Sequence, residues 1–577
     1  MYLSVFTEYE IPVTVKVNRV PALRGTIFDR NGEVLANDVL EYQAWLDVDF
    51  LKRAVSDVEL ENIIDTIRRN FNNNTDDLHQ KLNNSSFILL GSYENMKNLS
   101  KKLSPNIRKY VSVEMSTKRL SYTGYGVEKI IGSFKEGQES TQGIETSYNE
   151  LLAGKKDGTI KRTLTQTFQE SPENGSDVYL SIDLDIQKMI YQKMKEAVEE
   201  NNANGGIALL MESNSGKIIA YANTFPWDTG LMGIVEPGST IKPIIYGIAL
   251  KTHSITPETT FTCDGSIKPV ESLDIIIRDT EGEKHGIETF HDGIRNSCNV
   301  ATVQVIQHII DNIGKEAFYN QLITMGFGRE TNVDLPGETP GILAKPLYWS
   351  LISPYQFGIG QGLGANIFQL TRALNVYPAN GRLVEPTFVN AVSGEREVRK
   401  LEPEIERTVI PQNVVKSMIP VLESVVASGT GTRAQVDGIR IGGKTGTAQK
   451  AFEGSYSDED YYSLFWGFFP LEEPKYSLVV FIDNPRGEEY YGGSVAAPVF
   501  AEIVENLMFK PVKEPKMLDI YKWKMPDLTG YTIHDVFEVA ELYNIEDVKI
   551  IGTGTVVRQK PEPEAPPAES LFVWLEE

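Results

Sequence analysis

The stretch EPGSTIKPIIYGIAL, residues 236–250, constrains the fold more than any other part of the chain. An apolar run of helical length follows Gly-Ser-Thr-Ile-Lys-Pro, and Pro243 suits only a helix's first turn, where no intrahelical N–H donor is needed. The helix therefore starts near Ser239. Ser239 is the only serine with a lysine three positions on, Lys242. Positions i and i+3 share a helical face, so the hydroxyl and the amine can meet. The free N–H groups of the first turn favour developing negative charge, and Gly238 lets a substrate approach the backbone. Lys242 can act as a base once burial or a nearby cation lowers its pKa. Alone, Ser-x-x-Lys is weak, since roughly two copies are expected by chance at this length.

Lys-Thr-Gly occurs once, at Lys444-Thr445-Gly446, inside the strand-like run GGKTGTA. Glycines there would let a substrate backbone lie against a strand edge and extend the sheet. Lys444, Thr445 and Thr447 offer a charge and two hydroxyls to an anion such as a terminal carboxylate. The other reading is a glycine-rich edge strand and nothing more. Ser-x-Asn is weaker, but only the copy at Ser297 and Asn299 falls between the other two motifs. Ser297 could pass a proton to a leaving amine and Asn299 could bind a substrate amide; the alternative is a helix cap.

Composition removes other functions. A net charge of −23 argues against a nucleic-acid partner. Cys263 and Cys298 are the only cysteines, which gives no disulfide scaffold and no thiolate metal site. Two buried free thiols are expected, with a bridge between them as the alternative. None of the six histidines stands in an H-x-x-x-H or H-E-x-x-H arrangement, so neither metal nor cofactor is expected. No apolar run approaches the ~20 residues that span a bilayer, and no signal peptide is visible.

At 577 residues the chain is too long for one core. Residues 1–175 mix β-like runs (VTVKVNRV, AWLDVDF) with an Asn-rich patch at 68–86, expected to be a surface loop between helices. Residues 176–510 carry the signals of a sheet flanked by helices. DVYLSID reads as a strand and LDIQKMIYQKMKEAVEENN as an amphipathic helix, and a hairpin turns at Asn214-Ser215-Gly216. IRIGGKTGTA, SLFWGFFP and YSLVVFID are three late strands. Residues 511–524 read as a linker and 525–577 as a small αβ unit. In that unit Thr532 is the N-cap and Ile533, Val536, Phe537 and Ala540 share one helical face. Strands flanking a mainly helical middle indicate an α/β or α+β domain at 176–510, and multidomain α+β is the fold class expected of the chain.

Ser-x-x-Lys, Ser-x-Asn and Lys-Thr-Gly in this order form the set of penicillin-binding proteins and serine β-lactamases. RGTIFDRNGEVLA at 24–36 resembles the opening motif of class B penicillin-binding proteins, and QGIETSYNELLAG at 142–154 resembles the segment closing their N-terminal pedestal. GIGQG at 358–362, GKTGTAQ at 443–449 and GGSVAAPVFAEI at 492–503 are similar to that family too. The unit at 525–577 resembles a PASTA domain, commoner in the division or sporulation type.

The resemblance implies a β-rich pedestal at 1–175, a penicillin-binding transpeptidase domain with an antiparallel sheet at 176–510, and peptidoglycan D,D-transpeptidase activity. Ser239 would attack the penultimate D-Ala carbonyl of a stem peptide, with Lys242 taking its proton and Ser297 and Lys444 relaying protons. Asn299, Thr445, Gly446 and Thr447 would bind substrate, the two threonines on the D-Ala carboxylate. The N–H groups of Ser239 and Thr447 would form the oxyanion hole. β-Lactams would acylate Ser239 as mimics of D-Ala-D-Ala. Septal or spore wall synthesis is implied, with a SEDS-family membrane glycosyltransferase and division proteins as partners. So is a place on the extracytoplasmic face of the cell membrane. Arg24 leaves room for a connecting strand but none for the family's anchor helix, so that helix is expected upstream of this sequence. The rival readings are a D,D-carboxypeptidase, a β-lactamase, and a non-catalytic wall-binding scaffold or β-lactam sensor.

Overall fold

The computed structural model describes residues 16–71, 76–134, 140, 142–162, 167–393, 398–400, 405–452, 455–487 and 489–509. Beyond these it describes 525, 527–531, 536, 537, 539, 540, 545, 547–562 and 570–576.

The middle part of the chain is built on a five-stranded sheet in the order Ile218–Asn223, Gly205–Glu212, Tyr476–Asp483, Ser455–Phe469, Gly442–Phe452, every pair antiparallel. Gly205–Glu212 and Tyr476–Asp483 are apolar over most of their length because both faces are covered, with buried Ser477 accepting the Trp466 indole N–H at 2.9 Å. Side chains alternate across a strand, and two cores result. Ile207, Leu209, Val479 and Phe481 face one core, packed with Ile244, Ile245 and Ile248 of the helix Lys242–Lys251. Ala208, Leu210, Val480 and Ile482 face the other, packed with Ile190 and Met194 of the helix Leu184–Glu200 and Phe500 of the helix Ala496–Phe509. Residues 242–250 are buried without exception, as expected of a helix apolar all round. The hairpin at Asn214-Ser215-Gly216 and the three late strands lie where the pattern put them.

A second sheet of seven strands links the first part of the chain to the rest. Its order is Val398–Lys400, Val389–Ser393, Val178–Leu180, Ile27–Phe28, Val34–Asp47, Phe87–Tyr93, with Val111–Ser121 also paired to Val34–Asp47. Ile27–Phe28 runs parallel to Val178–Leu180, so the expected boundary at 175 lies beside a strand shared by both regions. The run AWLDVDF is only partly strand: Asp47 caps a helix at Val48–Ala54 by accepting from the Phe50 N–H. The Asn-rich patch is also corrected. Its described residues end the helix Asp57–Phe71 and form the helix Asp76–Asn84, which is anchored by buried Leu78 and Leu82. Two leucines four apart hold a helix that polar composition alone does not suggest.

At the C-terminus Asp547–Gly552, Ser570–Glu576 and Thr555–Lys560 form a three-stranded sheet around Val556, Leu571 and Val573. Gly530 of this unit packs under the Lys97 side chain, where an added Cβ would lie 2.6 Å from Lys97 Cδ. Thr532, Ile533 and the linker at 511–524 fall outside the described residues. Among the described residues no helix is long and apolar enough to cross a membrane.

Candidate active site

Three elements meet at Ser239. It lies half-buried in a 3₁₀ turn, Gly238–Ile241, that runs straight into the helix Lys242–Lys251. In a 3₁₀ turn residues i and i+3 eclipse, so the tighter turn still brings Ser239 and Lys242 onto one face. The second element is the edge strand Gly442–Phe452, which carries Lys444, Thr445, Gly446 and Thr447. The third is the corner between the helices Phe290–Arg295 and Asn299–Thr324, where Ser297 takes a left-handed φ of 59°. A serine there is strained, the kind of backbone found where geometry serves a site.

Glycine allows the first two elements to touch. An added Cβ on Gly446 would lie 2.6 Å from Thr240 Cγ2 and 3.0 Å from the Pro237 carbonyl oxygen. At Gly238, with φ at 52°, it would lie 2.6 Å from the Thr447 carbonyl oxygen.

Two lysines share one hydroxyl. Lys242 and Lys444 are fully buried. Lys242 Nζ donates to the backbone carbonyl of Ser297, to Asn299 Oδ1 at 2.8 Å and to Ser297 Oγ at 3.3 Å. Lys444 Nζ donates to the same Ser297 Oγ at 2.9 Å and to the Thr445 carbonyl at 3.1 Å. Burial pushes Lys242 down to about 8, against the opposing pull of Asp279, Cys298 and Glu288. Burial, and then the charge of Lys242, hold Lys444 well below the ordinary ammonium range.

The hydroxyls are ordered too. Thr445 Oγ1 lies 2.7 Å from Thr430 Oγ1, and Thr447 Oγ1 accepts the Gly492 N–H at 3.0 Å. Asn299, assigned a substrate amide from sequence, keeps one of its two Nδ2 hydrogens for such a partner. Its Oδ1 holds Lys242, and its Nδ2 donates one hydrogen to the Arg278 carbonyl at 3.0 Å. Ser297 does not cap the following helix; Cys298 does, accepting the Ala301 N–H on its Sγ at 3.2 Å.

Sequence reasoning missed Thr430, which no motif signals. It also expected no thiolate metal site. Cys263 and Cys298 are free and buried, and with Asp279 and His285 they bring four ligand-type atoms within 4.8 Å of one another. The four positions match no compact ligand spacing, and none lies in a histidine pair.

A family profile described as "Penicillin binding protein transpeptidase domain" matches residues 206–505, slightly more than half of the chain. The chain belongs to the penicillin-binding protein transpeptidase family. A second profile, the penicillin-binding protein dimerisation domain, matches residues 19–180. This penicillin-binding protein is 28% identical over 518 residues to a probable peptidoglycan D,D-transpeptidase PenA of Neisseria gonorrhoeae, covering 85% of each chain. It is 27% identical to stage V sporulation protein D of Bacillus subtilis, over 76% of this chain and 72% of the other. Penicillin binding protein 2X of Streptococcus thermophilus shares the fold, with a TM-score of 0.69 at 20% identity over 97% of this chain and 91% of that one.

Proposed function

We propose that this penicillin-binding protein is a serine D,D-transpeptidase that cross-links peptidoglycan stem peptides through an acyl-enzyme on Ser239. The observation that carries the reading is the sharing of Ser297 Oγ by two buried lysines, at 3.3 and 2.9 Å. As a neutral amine, Lys242 can give its two hydrogens to the Ser297 carbonyl and Asn299 Oδ1 and keep its lone pair for a hydroxyl proton. Ser239 Oγ then attacks the penultimate D-Ala carbonyl, its proton passing to Lys242 Nζ. The backbone N–H groups of Ser239 and Thr447 take the developing negative charge. The C–N bond breaks, and the proton reaches the departing D-Ala amine through Ser297, with Lys444 holding that hydroxyl. An acceptor amine then attacks the ester and restores Ser239. Lys444, Thr445 and Thr447 hold the terminal carboxylate, and Gly446 leaves the strand edge open to the peptide backbone. A β-lactam enters the same sequence, with ring opening in place of D-Ala departure.

The likeness to stage V sporulation protein D favours a septal or spore wall role, on the extracytoplasmic face of the membrane, beside a SEDS-family glycosyltransferase. The unit at 525–577 is read as PASTA-like. The test of the acyl-enzyme is intact-protein mass spectrometry after exposure to benzylpenicillin. The wild type is expected to gain one penicilloyl group and Ser239→Ala none. Absence of an adduct on folded wild type would bring forward the scaffold reading, and rapid turnover of the drug would make the protein a β-lactamase.

A further inference from the structure

Behind the corner that carries Ser297 and Asn299 lies a cluster the acyl-transfer chemistry does not use. Cys263 ends the strand Thr260–Cys263, which pairs with Gly286–Thr289. Asp279 and His285 lie on the chain between those strands, and Cys298 is the residue between Ser297 and Asn299. Both thiols are fully buried and Asp279 nearly so. Cys263 Sγ lies 3.3 Å from Asp279 Oδ2 and 3.6 Å from His285 Nδ1, and His285 Nδ1 lies 3.1 Å from Asp279 Oδ2. Bonds of about 2.0–2.3 Å to a tetrahedral ion give ligand–ligand edges of about 3.3–3.8 Å, so these separations are near closure already.

The surroundings hold each ligand in the orientation a metal requires. Asp279 Oδ1 accepts the N–H groups of Thr280 at 3.0 Å and Asn299 at 3.1 Å, which turns Oδ2 into the cluster. His285 presents Nδ1 inward while its Nε2 faces the Glu283 carboxylate at 3.3 Å, the partnering that fixes the tautomer of a ligating imidazole. Cys298 Sγ accepts the Ala301 N–H at 3.2 Å. A second, independent observation is Glu288. It is 1% exposed, its Oε1 accepts from Asn296 Nδ2 at 2.9 Å and lies 3.9 Å from His285 Nδ1, and its Oε2 is buried with no hydrogen-bond partner. A buried carboxylate oxygen without a donor is rare, and a nearby ion is one of the circumstances that account for it.

We propose that Cys263, Asp279, His285 and Cys298 bind a zinc ion that fixes the corner carrying Ser297 and Asn299. Binding takes two thiolates, a carboxylate and a neutral imidazole, and the two thiol protons go to solvent. The set is closed at four ligands, so the ion is structural and leaves no position for substrate. Cys298 ties it to both Ser297 and Asn299, and Asp279 ties it to the Asn299 backbone. Those are the residues that hold Lys242. The ion therefore acts as a positioning element for the acyl-transfer site.

The test is made on the full chain, stripped with a strong chelator under reducing conditions and titrated with Co²⁺ alone. One equivalent is expected to produce a thiolate-to-cobalt charge-transfer band with intense tetrahedral d–d absorption, and one equivalent of Zn²⁺ is expected to abolish both. The His285→Ala and Cys263→Ser variants are expected to bind neither metal in equimolar amounts. Should a variant fail to fold, the wild-type titration alone decides. Octahedral cobalt spectra, thiols that react with a disulfide reagent at the same rate with and without zinc, or a Cys263–Cys298 disulfide in the purified chain would each overturn the proposal. A further readout rests on the proposed acyl-enzyme: penicillin acylation is expected to fall at least tenfold on stripping and to return with zinc. Metal binding without that change would overturn the positioning role and leave the acyl-enzyme untouched.

Discussion

At the scale of single residues, the arrangement depends on two amines kept from their ordinary charge. Burial is the main cause for both, and at Lys444 the charge of Lys242 adds to it. Only unprotonated Lys242 has a lone pair for the Ser239 proton, and the unprotonated fraction rises with pH. The rate of acylation by benzylpenicillin is therefore predicted to climb as pH rises through about 8 and to level off above it. Below that point it should fall by about tenfold per unit. A stopped-flow or quenched-mass profile between pH 6 and 10 checks this, and a profile flat across the range would remove Lys242 from the base role. Ser239, Lys242 and Lys444 were legible because each stands in a motif with its own chemical reason. Asn299 was only half legible. Its motif is visible, but the partner that occupies its Oδ1 becomes visible only after folding.

At the scale of elements, the site exists because a 3₁₀ turn presses against a strand edge. Gly446→Ala places a methyl group against Thr240 Cγ2 and the Pro237 carbonyl, so turn and strand must separate. The expected result is a loss of about 1–3 kcal/mol in stability and a fall of about 10–100-fold in the acylation rate constant. Thermal unfolding and adduct kinetics on the same sample separate the two effects. The strands of the central sheet and the hairpin at Gly216 were readable because apolar runs bounded by turn residues report local structure. The helix at Asp76–Asn84 was not, since its polar composition hides the two leucines that dock it. The cluster of Cys263, Asp279, His285 and Cys298 was equally hidden: its residues are spread over 36 positions, and the pairing of Thr260–Cys263 with Gly286–Thr289 helps draw them together.

At the scale of the whole molecule, the N-terminal motifs act as a clamp. Arg24 and Arg119, 4% and 3% exposed, both bind the fully buried Glu145, at 2.6 and 2.7 Å, and Arg119 also reaches Asp38 at 3.3 Å. Asp29 in the same opening motif accepts the Leu184 N–H at 3.1 Å, at the start of a transpeptidase helix. Glu145→Ala would leave two buried guanidinium groups short of countercharge, a cost of about 3–5 kcal/mol. A large drop in the unfolding midpoint is expected, whereas Arg440→Ala, which breaks exposed pairs with Glu423 and Glu472, should leave it unmoved. Similar shifts for both variants would contradict a buried clamp. The shared seven-stranded sheet was not readable from sequence, because Ile27–Phe28 is two residues long and finds its partner some 150 positions downstream. Acyl transfer from Ser239 to an amine is tested on the natural type of substrate. The full chain is incubated with a stem peptide ending in D-Ala-D-Ala and an excess of an acceptor amine, and the products are followed by mass spectrometry. A peptide joined to the amine with release of one D-Ala is expected, and no such product from Ser239→Ala. Hydrolysed peptide alone, or coupling that survives loss of Ser239, would contradict it.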